Sequence, residues 1–226
     1  MEIDCTTPSA GLFVAGEDAG GVHGANRLGG NGVANSTVFG AIAGDEMAMT
    51  ISKGTPLRDP DPEAIDHGVA RAEQPFGRAR ADLSELREHL WTTMWDQVGI
   101  LRTGPGIRAG MQALDDCRET LMLQGVHDDD RAYNLSWHDW LNLENQIMVG
   151  QIIASAALAR EDSRGAHFRE DFPDIGPLER STFTRSRMQD GQVIQDMIPV
   201  DFMIVKPGQS LIEGEAGAPR ATKPRT

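Results

Sequence analysis
Gly11-Leu12-Phe13-Val14-Ala15-Gly16-Glu17, followed closely by His23-Gly24-Ala25-Asn26-Arg27-Leu28-Gly29-Gly30-Asn31, governs how the front of this chain is read. Leu12 to Ala15 is an unbroken apolar run, which predicts a short strand covered on both faces. Glu17 falls where that strand would stop, at the edge where open α/β sheets hold ligands. The glycines that follow let backbone approach a ligand closely. Among them only Arg27 offers a planar five-donor fork, matched to a carboxylate or a phosphate.

Outward from this stretch, Glu2 to Thr6 reads as a further short strand, closed by a turn at Thr7-Pro8-Ser9. A helix is predicted over Val33 to Ile51, with Asn31 as its N-cap. Gly54 to His67 carries Pro56, Pro60 and Pro62 among aspartates and reads as an inter-domain linker. Beyond it the period becomes helical. Leu83, Leu86, Leu90, Met94 and Val98 form an amphipathic stripe. A second helix is predicted from Ile107 to Gln124, ended by Gly125. A third, from Trp137 to Arg160, is apolar on more than one side and is expected to be the most buried. Three helices with short connections predict a bundle. Ser181 to Met188 and Val193 to Val205 then read as two strands around the hairpin signal Asp190-Gly191.

The expected fold class is therefore α+β and mostly helical. Residues 1–53 form the remnant of an α/β domain, 54–77 a linker, 78–213 a helical domain ending in a β-hairpin, and 214–226 a disordered tail. Composition sets further bounds. A net charge of -13 over 226 residues, with no basic stripe, argues against nucleic acid. Cys5 and Cys117 are too few for a disulfide framework or a metal site, which makes a reducing cytosol the default. The opening Met1-Glu2-Ile3-Asp4 has no signal-peptide character. The run from Ile147 to Ala159 is too short to span a bilayer.

At GLFVAGE, HGANRLGGN and VFGAIAG the chain resembles the late part of the FAD domain in the flavoprotein subunits of succinate dehydrogenase and fumarate reductase. L-aspartate oxidase belongs to the same group. Met94-Trp95-Asp96-Gln97-Val98-Gly99-Ile100, Arg102-Thr103-Gly104, Ser163-Arg164-Gly165-Ala166-His167-Phe168-Arg169-Glu170-Asp171-Phe172-Pro173 and Pro199-Val200 fit the same family. The resemblance implies hydride transfer between FAD and a dicarboxylate, with Arg27 holding the substrate carboxylate. It implies FAD contacts from Glu17 and from Asn31, Gly32 and Val33 at the opening of the helix, where N–H groups would face the flavin. The family usually places serine and leucine where Gly32 and Val33 stand, so a hydroxyl contact is lost while a backbone contact survives. His23 and His167 are expected to order loops and to close the helical domain onto the FAD domain. Trp91, Trp95, Trp137 and Trp140 are expected in the core or at a domain interface.

A dinucleotide site marked by GxGxxG does not occur in the sequence. The resemblance places the covalent flavin histidine, the capping domain and the proton-delivering arginine upstream of these residues. The FAD site is therefore expected to be shared with an upstream FAD-binding half or a flavoprotein partner, and to be incomplete and inactive without it. An iron–sulfur subunit is a further implied partner, and with it a peripheral place at the inner face of the membrane. Two alternatives stand beside this reading: a non-catalytic helical interaction module, and half of an amino-acid oxidase of the L-aspartate oxidase type.

Overall fold
The computed structural model describes residues 3–56, 59–190, 192–207 and 209. Its elements run α1 (Asn31–Ser52), α2 (Pro62–Glu73), β1 (Ala79–Arg80), α3 (Ser84–Val98), α4 (Gly104–Leu123), β2 (Gln124–Gly125), α5 (Leu135–Ala159), β3 (Thr182–Gln189) and β4 (Gln192–Pro199). The mostly helical α+β class is as the sequence predicts.

The core lies between α3, α4 and α5. Leu86, Leu90 and Val98 meet Ile107, Leu114 and Leu121, and α5 closes the cluster with Trp140, Leu143, Ile147 and Ala154. Helices α4 and α5 each start at a side chain that satisfies a free N–H group. Thr103 Oγ1 accepts from Gly106 N at 3.2 Å, and Asn134 Oδ1 accepts from Trp137 N at 2.9 Å. Trp140, fully buried, donates its indole N–H to the carbonyls of Leu121 and Gln124 and so ties off the end of α4. Small residues set the helix spacing. A Cβ on Gly110 would lie 2.8 Å from Val98 Cγ2, inside contact distance. Gly110→Ala is expected to destabilise by roughly 1–2 kcal/mol, since overpacking outweighs the gain in helix propensity. Urea unfolding should show a lower midpoint at constant m-value.

Behind the bundle, one buried residue joins two helix ends. Arg169, 2 % exposed, donates from Nη1 to the carbonyls of Ala157, Leu158 and Arg160 at 2.9, 3.2 and 3.1 Å, which caps the C-terminus of α5. Its Nε and Nη2 hold Asp171 bidentately at 2.7 and 2.8 Å. Asp171 Oδ2 in turn accepts from Gly104 N at 2.7 Å, at the start of α4. Ser163 Oγ fastens the same loop by donating to the carbonyl of Phe172 at 2.8 Å and accepting from Arg169 N at 2.8 Å. The hairpin β3–β4 is antiparallel in the register Gln189↔Gln192, with Asp190 at φ 51° as the turn signal requires.

Several expectations are corrected. Residues 11–16 do not form a buried strand: only Phe13 pairs, in one bridge with Thr6, and Leu12 is 57 % exposed. A run covered on both faces needs neighbouring strands, and among the described residues there are none beside it. Of the strand expected over Glu2 to Thr6, Glu2 lies outside the described residues and residues 3–6 show only that bridge. Asn31 is not the N-cap of α1; Gly30 at φ 83° is, and it offers no side chain. Within the expected linker, 62–73 is helical, because Asp61 accepts from Glu63 N at 3.0 Å and Pro62 suits the first helical turn. This helix is fixed to the bundle where Trp137 Nε1 donates to the carbonyl of Ala72 at 2.7 Å and Arg71 pairs with Glu144.

The glycine after α4 has another cause than the one expected. Helix α4 ends at Leu123, and a Cβ on Gly125 would come within 2.7 Å of the Pro75 carbonyl. Of the tryptophans, Trp140 is in the core and Trp137 packs partly buried against it, whereas Trp91 and Trp95 are exposed in this chain. Helix α5 is buried on one side only, with Val149 and Ile153 exposed. The tail from Gly214 to Thr226 lies outside the described residues.

Candidate functional site
The front of the chain converges on the open end of α1. Gly16, at φ 80°, begins the single 3-10 turn Gly16–Asp18 that carries Glu17. The carbonyl of Gly16 accepts from Asn35 Nδ2 at 3.0 Å, and a Cβ on Gly16 would lie 3.0 Å from Ser36 Oγ. Asn35 is buried, so this amide pins the Glu17 turn to the second turn of the helix. With Gly30 as cap and no acidic residue in its first turn, α1 presents N–H groups without a side-chain acceptor.

Arg27 arches over this helix end. A Cβ added to Gly32 would lie 3.3 Å from both Cζ and Nη1 of Arg27, so the absent side chain at position 32 is where the guanidinium rests. Among the described residues the guanidinium has no hydrogen-bond or ion-pair partner, while the Arg27 backbone N–H donates to Asn26 Oδ1 at 2.9 Å. Glu17, Arg27, Gly30, Gly32, Val33, Ser36 and Thr37 line one cleft of ≈ 500 Å³. The structure thus gathers Glu17, Arg27, Gly32 and Val33; Asn31 does not line the cleft. Ser36 and Thr37 join it without having been anticipated as lining residues, although Asn35-Ser36-Thr37 stands out in the sequence as polar. Their hydroxyls donate back to the carbonyls of Gly32 and Val33 at 3.1 and 3.0 Å. His23 is half-buried and makes no side-chain hydrogen bond among the described residues.

A second set of residues meets this loop from the helical side. Arg164 and His167 exchange both backbone hydrogen bonds, at 2.9 and 3.0 Å, closing a two-residue turn through Gly165 and Ala166. Arg102 is donor-only, so His167 Nδ1, 2.9 Å from Arg102 Nη1, must accept. The ring proton then sits on Nε2, which faces the Arg160 carbonyl at 3.4 Å. Burial, and to a smaller degree the guanidiniums of Arg102, Arg160 and Arg169, hold the His167 pKa below its ordinary value, so it stays neutral. The His167 ring thus orders its own turn through Arg102 and Arg160, both on the helical side, and its hydrogen bonds among the described residues do not reach the front segment as expected. Asp162 pairs with Arg160 at 3.4 Å and with Arg164 at 2.7 Å, and these arginines hold the hairpin through Thr182 and Ser181.

At the start of α1 the N–H groups of Asn31 and Val33 donate to the carbonyls of Leu28 and Gly30 at 3.3 and 3.2 Å. The guanidinium, unpaired among the described residues, stands beside this positive helix end, which suits an anion, or an electron-rich ring edge, on one side of a planar group. No second glycine-turn-helix start of the GxGxxG type stands among the described residues to take a pyrophosphate. The residues present therefore fit one edge of a flavin nucleotide and not its diphosphate. No cluster of His, Cys, Asp or Glu among the described residues can hold a metal ion, and no described helix is long and apolar enough to cross a membrane.

Two family models meet on this chain. Residues 3–33 match an FAD binding domain, and residues 68–211 match the model described as fumarate reductase flavoprotein C-term. The class is that of FAD-binding flavoproteins. The chain belongs to the fumarate reductase and succinate dehydrogenase flavoprotein family, and FAD is the cofactor its relatives indicate. It is 36% identical over 175 residues to an uncharacterised FAD-dependent oxidoreductase of Methanocaldococcus jannaschii, covering 75% of this chain and 30% of that one. It is 31% identical over 193 residues to the succinate dehydrogenase flavoprotein subunit of Rickettsia bellii, covering 84% and 32%. Its fold matches the FrdA chain in a structure of E. coli quinol fumarate reductase with a TM-score of 0.82 at 26% identity, over 91% of this chain and 36% of that one. The chain thus spans about a third of the length of these relatives.

Proposed function
We propose that this chain supplies the carboxylate-gripping arginine and one wall of the flavin site in a fumarate reductase or succinate dehydrogenase-type flavoprotein. The observation that carries this reading is the unpaired Arg27 fork, resting on Gly32 at the uncapped end of α1 and sharing a cleft with Glu17. Bound FAD would exchange a hydride at its N5 with the substrate carbon next to the carboxylate. Arg27 holds that carboxylate in two parallel hydrogen bonds and fixes the carbon in place. Glu17 accepts from ribose hydroxyls, and the N–H of Gly32, with Asn31 and Val33 beside it at the positive end of α1, meets the pyrimidine edge of the ring. The pyrophosphate cradle comes from an upstream FAD-binding half or a flavoprotein partner.

The substrate class is a dicarboxylate, and an iron–sulfur subunit takes part in electron exchange. The assembly sits in the cytoplasm, peripheral to the inner face of the membrane through such a partner. Several relatives are themselves named as subunits, which supports the assembly in general terms.

The test is expression of the chain alone and together with a frame encoding a GxGxxG-bearing half. The expected result is a colourless product alone and flavin absorbance with succinate-dependent bleaching when the two are combined. Stoichiometric flavin on the chain alone, or no flavin on the combination, overturns the proposal.

A further inference from the structure
We infer that the Arg164–His167 turn is the template that sets the position of the Arg27 loop, with Gly165 as the positioning residue. This rests on the role of Arg27 proposed above. Gly165 lies at φ 59°, and a Cβ placed on it would come 2.1 Å from the carbonyl oxygen of Ala25 and 2.4 Å from its carbonyl carbon. Both the left-handed backbone and the backbone-to-backbone approach therefore demand glycine here. Ala25 is two residues before Arg27, so any retreat of its peptide moves the base of that side chain.

The turn is suited to act as a fixed stop because both its ends are held from several directions. Arg164 is held by Asp162, by Ser181 Oγ at 2.9 Å and by the Gly176 carbonyl at 3.3 Å. His167 is held between Arg102 and Arg160, and Arg102 also donates from Nε to the Val98 carbonyl at 3.0 Å at the end of α3. The bundle thus reaches the candidate site through a chain of hydrogen bonds that ends in one steric contact. The Arg27 loop on its own side has little to fix it: its residues are mostly exposed, and among the described residues its one side-chain hydrogen bond is local, with Asn26 Oδ1 accepting from Arg27 N–H.

The variant Gly165→Ala tests this by hydrogen–deuterium exchange on the whole chain, which needs no flavin. Within 23–28 the hydrogen-bonded Arg27 amide is expected to exchange roughly tenfold faster, while amides in the middle of α4 and α5 keep their protection. Unchanged exchange over 23–28 overturns the inference. If Gly165→Ala fails to give a folded helical bundle, Asp162→Asn carries the same readout. It releases the turn's arginines without adding an atom at position 165, and the same acceleration supports the inference while its absence overturns it.

The second arm uses the chain combined with its FAD-binding half. Gly165→Ala is expected to lower kcat/KM for the dicarboxylate about 10- to 100-fold at unchanged flavin absorbance, as misplacement of a clamp by about 1 Å does. Accelerated loop exchange with unaltered turnover overturns the link to Arg27. Absence of turnover in the unmodified combination overturns the proposed function and leaves the exchange result to judge the template by itself.

Discussion

Arg27→Lys, in the chain combined with its FAD-binding half, is expected to lower dicarboxylate turnover by about 10²–10³ in kcat/KM while flavin binding persists. Lysine keeps the charge but replaces a rigid two-pronged donor with a mobile point charge, which is not an equivalent at a bidentate site. Flavin contacts in the proposal come from Glu17 and the α1 backbone, so the absorbance spectrum should hold. Arg27→Gln should fall further, because charge is lost as well. Steady-state reduction of fumarate, with the flavin content measured on the same sample, separates the effects. Equal turnover for the lysine variant would remove Arg27 from the reaction.

The largest effect on stability is expected from Arg169→Leu, which leaves Asp171 and the last carbonyls of α5 without their donor. The guanidinium is buried while Asp171 is partly exposed, so the loss comes chiefly from the helix carbonyls left unsatisfied, and amounts to about 3 kcal/mol. For a unit of this size the melting temperature should fall on the order of 10 °C. The two ends it joins are the α5 C-terminus and the α4 N-terminus, so the loss should spread through both helices instead of staying in the loop.

A pH dependence accompanies this clamp. The Arg169 guanidinium, and to a smaller degree the Gly104 N–H, hold the Asp171 carboxyl well below the usual carboxylate range. Folded Asp171 therefore binds its proton more weakly than the unfolded chain does. Its contribution is fully present above the ordinary carboxylate pKa of about 4 and is lost as pH falls through the lowered folded value. Urea midpoints from pH 7 down to pH 3 should fall less steeply in Asp171→Asn than in the unaltered chain.

The helical back of this protein is legible in the sequence because its cues are local. The stripe from Leu83 to Val98 closes on partners encoded within the next sixty or so residues, and Asp190 sets its own turn. The front misleads at Leu12 to Ala15, where composition indicates cover on both faces but cannot indicate what would pair with the backbone. The helix over 62–73 is hidden by its own start signal: Asp61-Pro62 suits both a linker and a helix N-terminus, and only the docking of Ala72 on Trp137 decides between them. For the candidate site, residue type and position point to Arg27 and Glu17, and the family resemblance points to Gly32 and Val33. The proximity of Gly165 to Ala25 joins positions 140 apart, and no periodicity within either segment carries that information.

Only Asn35 and Ala43 of α1 are buried, whereas the bundle encloses its own apolar interior. The stop that Gly165 offers to Ala25 is translated some 140 residues later. The Arg27 loop therefore reaches the place that Gly165 sets for it only after the back of these residues has been made.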